Sequence, residues 1–340
     1  GRRMNDTLQN AREKRGAWDY VMWALMIASP FVLLGVLTLL TGKNHFAGVP
    51  VWSDELDYWR GVFSWINVGA NTGYYGVGEM IPKIGALSVH GFTPIMLYGG
   101  FAAIFGWEFS SIVWINCLWV SAGALCYCLL NRPKAKQALL LALTLLVYAP
   151  LVIYAATSMT ELANYGLMLF YLAFLVRLYK TRKAARENPQ PVDSTRFHWY
   201  RGLPSAIFCA LTVLFCCAYR ITYLVLFVPL VLVAFDGKFS GGMVLAFLGA
   251  LLASFFVYYL TALYTSPYAA GFLYSFMHTS DVAMAVKMFL GHAKSNLIDY
   301  FLRPPANPME SAQRWLYCVT AGLCLICSFV RFARKDGRLG

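Results

Sequence analysis

The stretch Trp18–Thr41 reads WDYVMWALMIASPFVLLGVLTLLT, with Asp19 its one charged residue. A helix that crosses about 30 Å of hydrocarbon needs about 20 apolar residues. A signal-peptide core is shorter and ends in small residues, so this segment reads as a retained span. Comparable blocks recur at Ser110–Asn131, Gln137–Ala156, Leu162–Lys180, Leu203–Ala218, Thr222–Phe235, Gly241–Leu263 and Trp315–Phe332. The two blocks around Arg220 are short, which puts their shared turn at membrane depth. Phe92–Phe105 is shorter still and is broken by Pro94, Gly99 and Gly100. Its length suits a helix that lies in the interface or re-enters.

Composition agrees. Of the 340 residues, 59% are hydrophobic and 13% charged, where a soluble domain carries about 25% charged residues. There is too little charge to coat a soluble enzyme of this size, and disordered and disulfide-scaffold classes are excluded for the same reason. The formal charge of +12 does not indicate nucleic acid, because the basic residues sit in short clusters between apolar blocks, the pattern of cytoplasmic membrane loops. The nine cysteines all lie in apolar segments, where they read as buried thiols, the Cys324–Cys327 pair included. The leading Gly1-Arg2-Arg3 before Met4 reads as a tag remnant.

The fold class is therefore all-α and polytopic, with about eight transmembrane helices plus interfacial helices in the first outer loop. With the N-terminus inside and Phe92–Phe105 not crossing, 20 of the 28 Lys and Arg residues fall in the inner segments; this favours both termini in the cytoplasm. Residues 43–109 and 264–314 then form two long outer segments. The chain divides into a cytoplasmic N-terminus (1–17), a transmembrane module (18–236) carrying outer loop 43–109, and C-terminal helices (237–340). Residues 281–299 have an amphipathic pattern suited to the outer membrane surface.

The first outer loop opens Val51-Trp-Ser-Asp54-Glu55-Leu-Asp57-Tyr-Trp-Arg60. Two readings stand side by side. In one, Ser53 caps a short helix, the acids suit its dipole, and Asp57 and Arg60 form a surface pair. In the other, Asp54 and Glu55 carry chemistry. The second reading gains from Glu161, in Ser158-Met-Thr-Glu161, which lies where the next outward span ends: two carboxylate sites on one membrane face can converge on one pocket. The alternative for Glu161 is a helix-start carboxylate capped by Thr160. Lys83, Arg220 and Arg303 are candidate cations on that face, with snorkelling to headgroups as their other reading. Arg220 stands out, in a tight turn flanked by Tyr219 and Tyr223, where a guanidinium can hold a phosphate bidentately. Tyr74, Tyr75, His90 and Tyr223 are candidate pocket residues. The outer histidines lack ligand spacing.

The order of these parts resembles the C-type glycosyltransferases, the polytopic enzymes that include protein O-mannosyltransferases and lipid A aminoarabinose transferase. The resemblance covers residues 18–236: one span, a long outer loop opening with Asp54-Glu55, a His-Gly-Phe-Thr-Pro94 segment running to Phe105-Gly106, two spans joined by a basic turn, then Thr160-Glu161. It implies a sugar donor linked to polyprenyl phosphate and transfer on the outer face of a membrane, here expected to be a bacterial inner (plasma) membrane. It also implies a glycan, lipid or protein acceptor, with Asp54, Glu55 and Glu161 as the acids and Lys83, Arg220 and Arg303 as donor-phosphate ligands. Some relatives use a divalent cation and others none, so the metal stays open. A soluble outer domain found in many members has no counterpart here, which leaves a compact member or a missing C-terminal part. A lipid-linked glycan transporter or flippase, and a glycan polymerase or ligase, are the alternatives.

Overall fold

A computed structural model describes residues 15–69, 74–75, 83–84, 87, 91–187, 202–237, 239–263 and 281–306, together with scattered positions between 308 and 326. It is built almost wholly of helices. In chain order these are α1 (Ala17–Thr41), α2 (Ser53–Val68), α3 (Ile95–Phe105, whose first turn over Ile95–Gly99 is π-helical), α4 (Ser111–Asn131), α5 (Ala135–Val147), α6 (Ala149–Ala155), α7 (Glu161–Glu187) and α8 (Leu203–Cys217). A 3₁₀ segment, Ile221–Leu226, then runs into α9 (Phe227–Ala234), followed by α10 (Gly241–Tyr258) and α11 (Val282–Leu297). A two-stranded antiparallel ribbon pairs Tyr74 with Ile84 and Tyr75 with Lys83.

Among the described residues four helices are long and apolar enough to cross a membrane: Ala17–Thr41, Ser111–Asn131, Glu161–Arg186 and Gly241–Thr261. The blocks at 203–218 and 222–235 form shorter apolar helices, Leu203–Cys217 and Ile221–Ala234. The block at 137–156 is not one helix. Tyr148 takes an extended conformation (φ −67°, ψ 112°) and Pro150 opens the next helix, because proline disfavours helical geometry in the residue before it and removes a ladder donor. The last block, 315–332, falls largely outside the described residues, as do Cys324 and Cys327.

Helices α4 and α7 pack backbone to backbone at two facing glycines. A Cβ placed on Gly123 would stand 2.4 Å from the Gly166 carbonyl oxygen, and one on Gly166 would stand 2.4 Å from the Trp119 carbonyl carbon. Small residues at such a crossing let dispersion and inter-helix hydrogen bonds act where apolar burial drives little. Helix α1 lies against this pair, tied by Ser121 Oγ to the Ile27 carbonyl at 2.7 Å and by Trp23 Nε1 to the Pro133 carbonyl at 2.9 Å. Asp19 Oδ1 accepts from the Ala135 amide at 2.6 Å, so the lone acid of the first span supplies an orphan amide at the start of α5 with its acceptor. A second packed cluster, of Tyr58, Val62, Leu97, Tyr98, Ile112, Ala163, Cys216 and Tyr219 among others, joins α2 and α3 to the adjoining ends of α4, α7 and α8. That cluster positions the candidate site. Beyond it, α10 buries only Ser254 of its 18 residues, a surface suited to lipid. Asp281 caps α11 through its side chain, accepting from the amides of Ala283 and Met284.

Candidate functional site

Helix α2 starts one residue earlier than the capping reading of Ser53 requires. Trp52 precedes the helix, and Glu55 does the capping by reaching back. Its Oε2 accepts from the amides of Val51 at 2.6 Å and Trp52 at 3.0 Å, and its Oε1 accepts from the Ser158 amide at 2.8 Å. A buried carboxylate held by three amides is a charge-assisted staple between segments about one hundred residues apart. Asp54, its neighbour, is exposed at the positive end of the same helix. Asp57, read from sequence as part of a surface pair with Arg60, is instead buried.

Glu55 grips the first residue of a four-residue segment that is held at every position. Asn116 Nδ2 donates to the Met159 carbonyl at 2.7 Å, with Asn116 Oδ1 in turn accepting from the Tyr98 hydroxyl at 2.9 Å. Thr160 is hydrogen-bonded to Tyr58. Glu161 Oε1 accepts from Arg220 Nη2 at 2.6 Å. The segment Ser158–Glu161 is thereby fixed by side chains from α2, α4 and the turn after α8, and Glu161 leaves it as the first residue of α7.

Arg220 reaches the site because the chain breaks after α8. Its extended backbone (φ −140°, ψ 96°) precedes the 3₁₀ segment, its amide closes the last helical turn on Cys216 at 3.0 Å, and the neighbouring Tyr219 hydroxyl donates to Asn164 Oδ1 on α7. The pair is unequally wet: the Arg220 side chain is 41% exposed and that of Glu161 17%. Glu161 Oε2 is buried with no hydrogen-bond partner. One face of the guanidinium thus meets solvent while the carboxylate faces inward.

Tyr58, which the sequence reading passed over, sits at the centre. It lies one helical turn after Asp54 and is almost fully buried. Burial, then the charges of Glu161 and Asp54, push its hydroxyl well above the ordinary tyrosine range, opposed by the Thr160 hydrogen bond and the Arg220 charge. Its proton therefore stays in place, and the cause shows that Asp54, Glu161 and Arg220 all bear electrostatically on one oxygen. The i, i+4 spacing from Asp54 was the available signal. Arg220 itself loses affinity for its proton through burial, but the hydrogen bond and charge of Glu161 outweigh this and hold its pKa above the usual guanidinium value.

Of the remaining candidates, Tyr223 lies at the site, its amide on the Arg220 carbonyl at 3.1 Å and its ring 6.0 Å from that of Tyr219. Tyr74, Tyr75 and Lys83 lie on the ribbon, with Tyr75 opposite Lys83. His90 lies outside the described residues. Arg303 is exposed at the end of the α11 segment, where its carbonyl accepts from Arg314; the described contacts do not bring it to Glu161. Among the described residues no three His, Cys, Asp or Glu side chains gather into a metal-ligand set, and on Glu161 the counter-charge is the Arg220 guanidinium.

No protein-family model, curated protein or solved structure matches this chain.

Proposed function

We propose that this chain is a membrane glycosyltransferase of the C-type kind, transferring a sugar from a polyprenyl-phosphate donor to a hydroxyl of a glycan, lipid or protein acceptor. The observation that carries the reading is the meeting of Glu161 and Arg220 beside Tyr58 and the exposed Asp54, at one end of the apolar helices. In this reading that end is the outer face, eight spans leave both termini in the cytoplasm, and the membrane is a bacterial inner membrane.

The chemistry assigns each side chain a task. The acceptor hydroxyl gives its proton to the Asp54 carboxylate, and its oxygen forms a bond to the anomeric carbon. The bond from that carbon to the phosphate oxygen breaks, and the electron pair leaves with polyprenyl phosphate. Charge grows on the phosphate as the bond breaks, so a guanidinium placed there lowers the barrier. Arg220 fits, with an exposed face for the phosphate and Glu161 behind it fixing its direction. Glu55 works by position alone, its oxygens being taken by amides. Tyr58, kept protonated, offers a hydrogen-bond donor beside the acids. One base and one displacement invert the anomeric configuration, so a β-linked donor yields an α-linked product.

The test is label transfer from radiolabelled polyprenyl-phosphate sugar to membrane or cell-wall acceptors by purified protein. Transfer with inversion, falling about 100-fold or more in Asp54→Asn as loss of a general base predicts, supports the reading. Wild-type transfer by Asp54→Asn overturns the site, and movement of intact donor across the bilayer without bond cleavage points to a transporter instead.

A further inference from the structure

The opposite end of the bundle holds a second group of charges. Asn131 ends α4, and the turn Arg132-Pro133-Lys134 leads into α5. Two cations close on that turn, one from α7 and one from the segment just before α1: Lys180 Nζ donates to the Asn131 carbonyl at 3.1 Å and Arg15 Nη2 to the Arg132 carbonyl at 3.2 Å. Arg15 also lies over the Trp23 ring, 5.1 Å from its centroid. Arg177, one helical turn before Lys180 on α7, acts on the same ammonium, as does Arg15. Two cations further along α7, Arg182 and Arg186, share Asp236. By contrast, among the described residues no carboxylate lies within ion-pair distance of Arg15, Arg177 or Lys180. Asp19, the acid nearest the turn, is engaged by the Ala135 amide.

Two cations held on neighbouring carbonyls, with the Arg177 charge acting on one of them, repel one another, and an anion placed among them relieves that repulsion. Its identity is set by depth. From Glu161 to Lys180 α7 rises about 28 Å at 1.5 Å per residue, close to the thickness of the hydrocarbon layer. Trp18 and Tyr20, exposed at 71% and 56%, mark the same level, since such rings collect at headgroup depth. We infer that Arg15, Arg177 and Lys180 form a binding site for the phosphate of an anionic membrane lipid headgroup, with the acyl chains running along α1 and α7. The site is separate from the Glu161–Arg220 end and does not depend on the transferase reading.

The experiment is thermal unfolding of the detergent-purified full chain, titrated in parallel with phosphatidylglycerol, phosphatidylcholine and inorganic phosphate, for wild type, Arg177→Gln and the double variant Arg177→Gln/Lys180→Gln. Arg177 is exposed and its side chain makes no described contact, so the single variant retains the fold if the double does not. Phosphatidylglycerol is expected to raise the midpoint of wild type where phosphatidylcholine does not, and the half-saturating lipid concentration to rise about tenfold or more in the variants, as loss of a charge-assisted contact of about 1.4 kcal/mol or more requires. An equal response of wild type and Arg177→Gln, or of the two lipids, overturns the site. Full reproduction of the effect by inorganic phosphate overturns the lipid assignment in favour of a soluble ligand.

Discussion

Asp54 and Glu55 share a first helical turn and yet face opposite demands. Glu55 gives up its solvent for three amides, so replacing it with Gln leaves an N–H group facing N–H donors and a buried segment short of an acceptor. A cost of about 1–3 kcal/mol follows from an unmet buried hydrogen bond, visible as a lower unfolding temperature of Glu55→Gln. Asp54→Asn, on exposed surface, lowers that temperature less than Glu55→Gln, since only a helix-end charge of about 0.3–1 kcal/mol is lost, and removes transfer; a larger loss of stability in Asp54→Asn than in Glu55→Gln would reverse these roles. Tyr58 adds a pH signature. Its folded pKa is raised by burial and by the flanking acids, so its contribution is complete below the unfolded tyrosine pKa of about 10 and is lost as pH rises through and beyond that value. Unfolding curves between neutral and alkaline pH should therefore fall less steeply in Tyr58→Phe than in wild type. At this scale the sequence disclosed Asp54, Glu161 and Arg220, since an acid or a cation in an apolar chain announces itself by rarity. It did not disclose the task of Glu55, whose third partner, the Ser158 amide, lies far along the chain. Nor did it show that Asp57 is buried, because an i, i+3 pair reads the same whether its helix face meets water or protein.

Helix termini rather than helix interiors assemble the site. α2 and α7 begin there, α8 ends there, and α3 enters it through a π-helical turn that brings Tyr98 under Asn116. Such turns recur at functional positions, where an extra residue redirects a side chain. What holds these ends in register is the α4–α7 crossing at Gly123 and Gly166. A methyl group on Gly166 would collide with the Trp119 backbone, which has no rotamer with which to yield. Gly166→Ala should thus cost about 1–3 kcal/mol, in the range of overpacked cores, and should lower transfer as well by shifting Glu161 at the start of the same helix. A variant as stable and active as wild type would show that the two helices separate freely. Hydropathy cannot reveal such a crossing, because glycine within an apolar block carries no signal of what faces it. The same blindness explains why residues 137–156 read as one span: every residue is compatible with lipid, and only Pro150 marks the break at Tyr148.

At the scale of the molecule, two groups of charges among the described residues lie toward opposite ends of α7. Asp54, Glu161 and Arg220 gather where α7 begins, and Arg132, Lys136, Arg177 and Lys180 gather where α1 begins and α4 ends. Runs of apolar residues made the membrane character legible from sequence alone, and among the described residues four helices meet the length and composition that crossing requires; the other described apolar helices are shorter, because proline breaks and 3₁₀ segments spend residues without adding α-helical length. If the positive-inside rule governs this chain, the acidic end is outside and the basic end inside. Glu108, exposed beside the start of α4, and Lys136, exposed in the first turn of α5, offer reporters on the two ends at positions outside the proposed chemistry. In intact cells a membrane-impermeant maleimide should label Glu108→Cys directly and Lys136→Cys only after the membrane is opened. Cys117, Cys128, Cys209, Cys216 and Cys217 are buried, while Cys126 is half-buried and Cys318 exposed, so both variants are made in a Cys126→Ala/Cys318→Ala background. Labelling of both positions from outside would mean that the helices between them do not cross, while the reverse pattern would turn the Glu161–Arg220 site toward the cytoplasm and remove an outer-face transferase from consideration.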